Sequence, residues 1–225
     1  YAKEKYSDYL SGYEELLTYD GKPTSGTQIK HLLSHYHLDN KKKSLSLAQQ
    51  LYNNYLANSI SLGVDELNQL IYIFYNLGDF LSSINVQQSI IALDSYNSEQ
   101  WVRLSKLYLK NNQTQQAANT LLMATQKGVT IGQADFLMMC DLIAKNGNPY
   151  IAARLMQQFF DAFEVDHVIE NYDRLFRYWY LAQELEFASD VLSQSLVENK
   201  DTERYLDLAE LYYQMQHWQA MNQTL

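Results

Sequence analysis

Between residues 64 and 127, apolar side chains recur at every third or fourth position, the spacing that lines one stripe of an α-helix. Leu67, Leu70, Ile71 and Phe74 fall on one such stripe in a helix-length segment, residues 64–76. Leu77-Gly78-Asp79-Phe80 interrupts it, and Ser83, Gln87 and Ile90 mark a second stripe over residues 81–93. A shift of about 34 residues reproduces the pair. Trp101, Leu104, Ser105 and Tyr108 line residues 98–111, and Ala117, Leu121 and Ala124 line residues 114–127.

The pattern continues downstream. A third unit starts near Gln133 with Phe136, Met139, Cys140 and Ile143, turns at Gly147, and returns through Ala152, Met156 and Phe159. A fourth, more degenerate unit carries Tyr172, Leu175, Phe176 and Trp179, then Ala188 and Leu192. The last holds Tyr205, Leu208, Ala209, Tyr212 and Trp218 before the chain stops at Leu225. No hairpin of this size buries its stripe alone, so neighbours must stack. Small residues (Ser105, Cys140, Ala209, Ala117, Ala152) let helix backbones approach closely. Gly78, Asn112 and Gly147 suit a helix end that needs positive φ.

Upstream, residues 27–39 and 44–59 predict one more hairpin, with Leu32, Ala48 and Tyr52 in the stripe. Residues 1–19 carry Tyr6, Tyr9, Leu10, Tyr13, Leu16 and Leu17 and predict a single helix. Gly21-Lys22-Pro23-Thr24-Ser25-Gly26 has the composition of a loop. The expected organisation is therefore residues 1–63, N-terminal helices with one degenerate hairpin, and residues 64–225, an array of about five units, the last truncated.

A large aromatic, then Leu, a small residue, Tyr or Phe, and finally Ala at this period resembles the tetratricopeptide repeat (TPR). The likeness covers residues 64–225 and is best over 98–131. It implies an all-α, right-handed superhelical solenoid of antiparallel helix hairpins that binds proteins and catalyses nothing. The family's proline after the second helix is missing, and Ser95 stands where one is expected.

A narrower likeness runs through Trp101, Gly128-Val129-Thr130, Asp135-Phe136-Leu137 and Gly147-Asn148-Pro149. It continues through Ala152-Ala153, Tyr178-Trp179-Tyr180-Leu181-Ala182 and Leu208-Ala209-Glu210-Leu211-Tyr212. In this order the chain resembles periplasmic TPR proteins of marine gammaproteobacteria that accompany TonB energy-transduction systems. That resemblance implies a periplasmic scaffold whose partner is a TonB/ExbB/ExbD-type envelope complex.

Composition agrees with long helices. Apolar residues make up 47% and charged residues 19%, with only 2 Pro and 8 Gly. The formal charge of −9 argues against nucleic acid as a partner, because such binding needs a basic surface. Lys41-Lys42-Lys43 is the local exception and reads as a solvated turn between helices. One cysteine forms no internal disulfide. No run reaches about 18 apolar residues, so no membrane span is expected. The chain opens at Tyr1 and ends within a helical pattern, so an export segment is expected to lie outside it.

Candidate chemistry is sparse, and no cofactor is expected. His31 and His35, four apart on one helix face, are spaced to ligate one metal, which leaves a metal-binding protein or metal-dependent enzyme as an alternative. Against it stands a polar helix flank, with His37 pointing elsewhere. Cys140 reads as a packing thiol in a small-residue slot. His167 and His217 have no evident partner, and Met123, Met138, Met139 and Met156 fall at core spacing.

In stacked hairpins the first helix of each pair lines the concave side. One position past the core stripe lie Asn68, Tyr72 and Tyr75 in one unit and Arg103, Lys106 and Lys110 in the next. Aromatic walls, an amide and clustered cations suit an extended peptide with carboxylates. The bland reading is a solvated groove. The following unit offers Leu137, Met138 and Asp141 instead, so no chaperone-tail clamp is expected. A further alternative is a cell-wall or pilus assembly factor, or a homo-oligomer, built through repeat faces.

Overall fold

One recurring turn joins the helices of this chain in pairs. The computed structural model describes residues 2–18, 22–162, 164–198 and 200–225. Tyr1, Tyr19 and Gly21, assigned above to the first helix and its loop, lie outside the described residues. The helices are α1 (Ala2–Thr18), α2 (Ser25–His37), α3 (Lys41–Leu56), α4 (Val64–Asn76), α5 (Phe80–Leu93), α6 (Ser98–Lys110) and α7 (Thr114–Gln126). They continue as α8 (Gln133–Lys145), α9 (Pro149–Asp161), α10 (Ile169–Leu181), α11 (Leu185–Glu198), α12 (Thr202–Gln214) and α13 (Trp218–Thr224). No strand occurs among the described residues. The architecture is all-α, built from antiparallel helical hairpins.

Each pair turns through one residue with φ between 58° and 88°: Asp39, Gly78, Asn112, Gly147, Gln183 and Gln216. In every case the next amide donates back to a carbonyl five residues earlier, as Asp79 to Phe74 at 2.8 Å and Glu184 to Trp179 at 3.0 Å. This closes the first helix of the pair with a Schellman-type cap. Sequence alone marked Gly78, Asn112 and Gly147. Gln183 and Gln216 adopt the same conformation at a cost of about 1 kcal/mol each, because the surrounding hairpin dictates it.

The chain divides into two compact units. The first holds α1 to α7 except residues 121–123, and the second holds those three residues and α8 to α13. In the first unit, Ile29, Leu32, Ala48, Leu51, Leu67, Leu70, Phe74 and Ile90 share one core. The small-residue slot works as expected: fully buried Ser105 donates its hydroxyl to the Ala117 carbonyl at 3.0 Å, tying α6 to α7. Gln87, also fully buried, donates to Gln100 Oε1 at 2.8 Å and so crosses from α5 to α6. Ser95 serves the inter-pair turn where proline is absent, accepting from Trp101 Nε1 at 2.8 Å.

In the second unit the core contains Phe136, Met139, Met156, Phe160, Leu175, Tyr178 and Trp179, all at most 2% exposed. Two positions correct the sequence stripe. Phe160, not Phe159, continues the line of Ala152 and Met156, at a step of four; Phe159 stacks on Phe136 at 4.1 Å from the half-buried flank. Tyr178 is buried where Phe176 was expected, one turn beyond Leu175 on the inward face.

Other expectations fail for simpler reasons. Met123 is 51% exposed and is not a core methionine, since it points off the Leu121–Ala124 stripe. Trp218 is also about half exposed; it meets Tyr213 edge-on, and α13 has no buried residue. Lys41-Lys42-Lys43 is not a turn but the first turn of α3. Asn40 precedes it without a side-chain cap, so three cations sit at the helix end that repels them.

Candidate peptide-binding groove

The first helices of two successive pairs, α4 and α6, bound a groove of about 710 Å³ in the first unit. Volumes of ~300–1,000 Å³ are typical of ligand-binding clefts. Ile71 and Tyr75 line it from α4, and Glu99, Val102, Arg103, Lys106, Leu107, Leu109 and Lys110 line it from α6. Of the six positions singled out in the sequence, Tyr75, Arg103, Lys106 and Lys110 are thus brought together. Asn68 reaches the groove through Arg103, whose Nη1 donates to Asn68 Oδ1 at 2.7 Å. Tyr72 does not line it; its ring meets Tyr36 edge-on at 5.7 Å.

Helix geometry explains the clustering. Arg103, Lys106 and Lys110 are spaced three and four apart, so they stack on one face of α6. Trp101 and Leu104, turned away from them, are at most 5% exposed and anchor α6 in the core, while Leu107, between Arg103 and Lys110, forms part of the groove's floor. Arg103 is held from two sides, by Asn68 and by Glu99 one turn earlier at 3.5 Å. Tyr75 is 39% exposed, and its ring is braced edge-on by Phe80 at 5.5 Å. The apolar floor of Ile71, Val102, Leu107 and Leu109 was not singled out in the sequence. Those residues belong to helix stripes, and only the spacing between α4 and α6 exposes part of them.

An equivalent inner position in the second unit is already occupied. Asp141 on α8 accepts from Arg174 at 2.5 Å, from Arg177 at 3.0 Å and from Tyr178 at 2.5 Å, all on α10. Burial, followed by this hydrogen bond to Asp141, raises the Tyr178 phenol well above its ordinary range. Arg204 on α12 repeats the reach, donating to Asp173 on α10 at 2.6 Å. These partners were not visible in the sequence, where the Asp and Arg residues look like ordinary exposed charges.

The histidines pack beneath α1. His31 stacks on Tyr13 at 4.0 Å and 11°, and His37 stacks on Tyr6 at 4.4 Å. His31 Nε2 and His35 Nε2 lie 3.2 Å apart. Burial first, then His35 and Lys43, push the His31 pKa down to about 4. Burial and Lys43 lower His35 as well, against the pull of Glu14. Among the described residues no group of three His, Cys, Asp or Glu side chains comes close enough to hold a metal. His167 has a partner after all: it stacks on Phe160 at 4.0 Å, and its Nε2 lies 2.8 Å from the Phe160 carbonyl oxygen. Cys140 is fully buried; burial, then Asp141, push its thiol up to about 12. Among the described residues no helix is long and apolar enough to cross a membrane.

No model of a known protein family matches the sequence, and no curated protein does. Solved structures do match in fold. The structure of Naa15/Naa10 bound to HypK-THB aligns over 93% of this chain with a TM-score of 0.64 at 13% identity. This chain spans about a third of that one's length, 32%. YrrB, a TPR protein with an unusual peptide-binding site, aligns over 71% of this chain and 81% of its own, with a TM-score of 0.50 at 12% identity. The fold is that of tetratricopeptide repeat proteins.

Proposed function

We propose that this chain is a non-catalytic protein-interaction module that holds an extended segment of a partner in the groove between α4 and α6. The observation that carries the reading is the groove itself, where Tyr75 and three cations stand around an apolar floor. Extended segments dock in such places through side-chain pockets and hydrogen bonds to their backbone. The likeness in fold to YrrB, which has a peptide-binding site, supports the class of ligand. A peptide array probed with the native chain and with the Tyr75→Ala and Lys110→Glu variants tests it. The expected result is a set of bound peptides lost in both variants. An array whose bound set is the same for all three proteins would remove the groove from consideration.

The finer placement is periplasmic, as a scaffold for a TonB/ExbB/ExbD-type complex. Its support is the order of sequence markers from Trp101 to Tyr212. Fractionation of cells expressing the native gene tests the location, and a wholly cytoplasmic protein would end this version. The metal-binding alternative has in its favour only the two imidazole nitrogens 3.2 Å apart. Elemental analysis of untagged protein with no stoichiometric metal would close it.

A further inference from the structure

We propose that the first unit carries a separate small-molecule site, a cavity bounded by α1, α2 and α3 that takes an uncharged one-ring compound bearing a carboxamide-like group. The cavity has a volume of about 280 Å³ and shares no lining residue with the α4/α6 groove. A cavity of ~150 Å³ already holds a benzene ring, so this one has room for a ring with a short polar substituent.

Three helix faces converge on it. Tyr13 and Leu17 come from α1, four residues apart, and Gln28 and His31 come from α2, three apart. Leu47, Gln50, Leu51 and Asn54 on α3 follow one another at steps of three, one and three, which is a single helix face. Pro23 adds to the wall from the segment before α2. The leucines make one side apolar. On another, buried Tyr13 lies flat against His31 at 4.0 Å and 11°. His31 is also turned to His35, Nε2 to Nε2 at 3.2 Å. Tyr13 and His31 are thus taken up with each other and with His35, and the carboxamides are left to supply the cavity's hydrogen bonds.

Charge and hydrogen-bonding capacity set the class of ligand. Among the described residues no Asp, Glu, Lys or Arg lines the cavity. His31 is neutral at pH 7, since burial, then His35 and Lys43, hold its pKa down at about 4. An ion entering would give up water without meeting a counter-charge, so these walls select a neutral ligand. Gln28 spends Nε2 on the Pro23 carbonyl at 3.0 Å, which leaves its oxygen as an acceptor. The Gln50 and Asn54 side chains make no hydrogen bond among the described residues. Each offers a donor and an acceptor, which a ligand carboxamide meets with two hydrogen bonds. Entry runs past α1. Tyr13 is the one buried side chain described on that helix, and Leu17 is 51% exposed. A helix so lightly held opens locally at small cost, and a ligand seated against Tyr13 and Leu17 holds it down.

The probe is benzamide, with benzoate and benzamidinium as isosteres of opposite charge and toluene as the ring without the carboxamide. Each is titrated at pH 7 and followed by amide chemical shifts along the whole chain. Benzamide is expected to shift signals of α1, α2 and α3, to raise the protection of α1 amides, and to bind about tenfold more tightly than either ion. Leu47→Trp, which fills the cavity from a half-buried position, should abolish those shifts. Gln50→Lys, at an exposed position, should keep the fold and turn the preference to benzoate.

No shift in α1 to α3 from millimolar benzamide overturns the proposal, and so do shifts confined to α4 and α6, which would make the compound a ligand of the groove. Either ion binding as tightly as benzamide overturns the neutral class; toluene doing so removes the carboxamides from recognition. Undiminished binding by Leu47→Trp places the compound elsewhere. Should that variant fail to fold, Gln50→Lys decides: an unchanged preference for benzamide overturns the assignment of the site.

Discussion

Arg103 on α6 donates through Nη1 to Asn68 Oδ1 on α4 at 2.7 Å, joining the first helices of two consecutive pairs. The same reach recurs in the second unit from Arg174 to Asp141 and from Arg204 to Asp173. An arginine on one first helix thus repeatedly ties back to a polar side chain on the first helix before it.

For the Asn68–Arg103 pair, partial exposure limits the strength of the contact. A double-mutant cycle with Asn68→Ala and Arg103→Gln is expected to give a coupling of about 0.5–1 kcal/mol. Urea unfolding of the four proteins measures it. Strict additivity would show that the bond holds the side chain without stabilising the fold.

Asp141 is the more demanding case. Replacing it by Ala leaves the buried Tyr178 hydroxyl and the Arg174 guanidinium without their acceptor. A loss of about 2–3 kcal/mol is expected, with Asp141→Asn recovering part of it. Thermal unfolding checks the order; Ala and Asn variants of equal stability would contradict it.

The histidine cluster makes the α1 contact pH-dependent. The folded-state pKa of His31 lies below its unfolded value, so the unfolded chain binds the proton first. Stability is therefore full above pH 6.5 and falls as pH drops toward 4. One proton contributes at most about 1.4 kcal/mol per pH unit, and less here because His31 is only partly buried. The protection factors of α1 amides, taken against the intrinsic exchange rate at each pH, should fall between pH 6.5 and 4.5, and His31→Phe, which keeps a ring against Tyr13, should flatten the response. An unchanged response in that variant would point to other groups.

Cys140 should resist alkylation. With its thiol pushed up to about 12 and no exposed surface, almost no accessible thiolate exists at pH 8. Iodoacetamide is expected to label it only when denaturant unfolds the second unit, and mass spectrometry reads the adduct. Rapid labelling of the native protein would show that α8 and α10 part readily.

Much of this fold was legible in the chain because its information is local. The bounds of α4 followed from a stripe at steps of three and four. The turns at Gly78, Asn112 and Gly147 followed from the few residues that tolerate positive φ. Three of the six groove positions came together because helix periodicity alone stacks Arg103, Lys106 and Lys110 on one face; Tyr75 joins them from α4. What depended on how one helix meets another was not legible. Lys41–Lys43 joined a helix because packing of α3 on α2 and α4 outweighs the unfavourable charge at its N-terminus. Tyr72 turned to Tyr36 rather than to the groove, and Asp141 found two arginines and a tyrosine more than thirty positions away. A period in the sequence specifies which face of each helix is apolar; the rotation and offset of its neighbours, set only by packing, decide which of the remaining side chains meet.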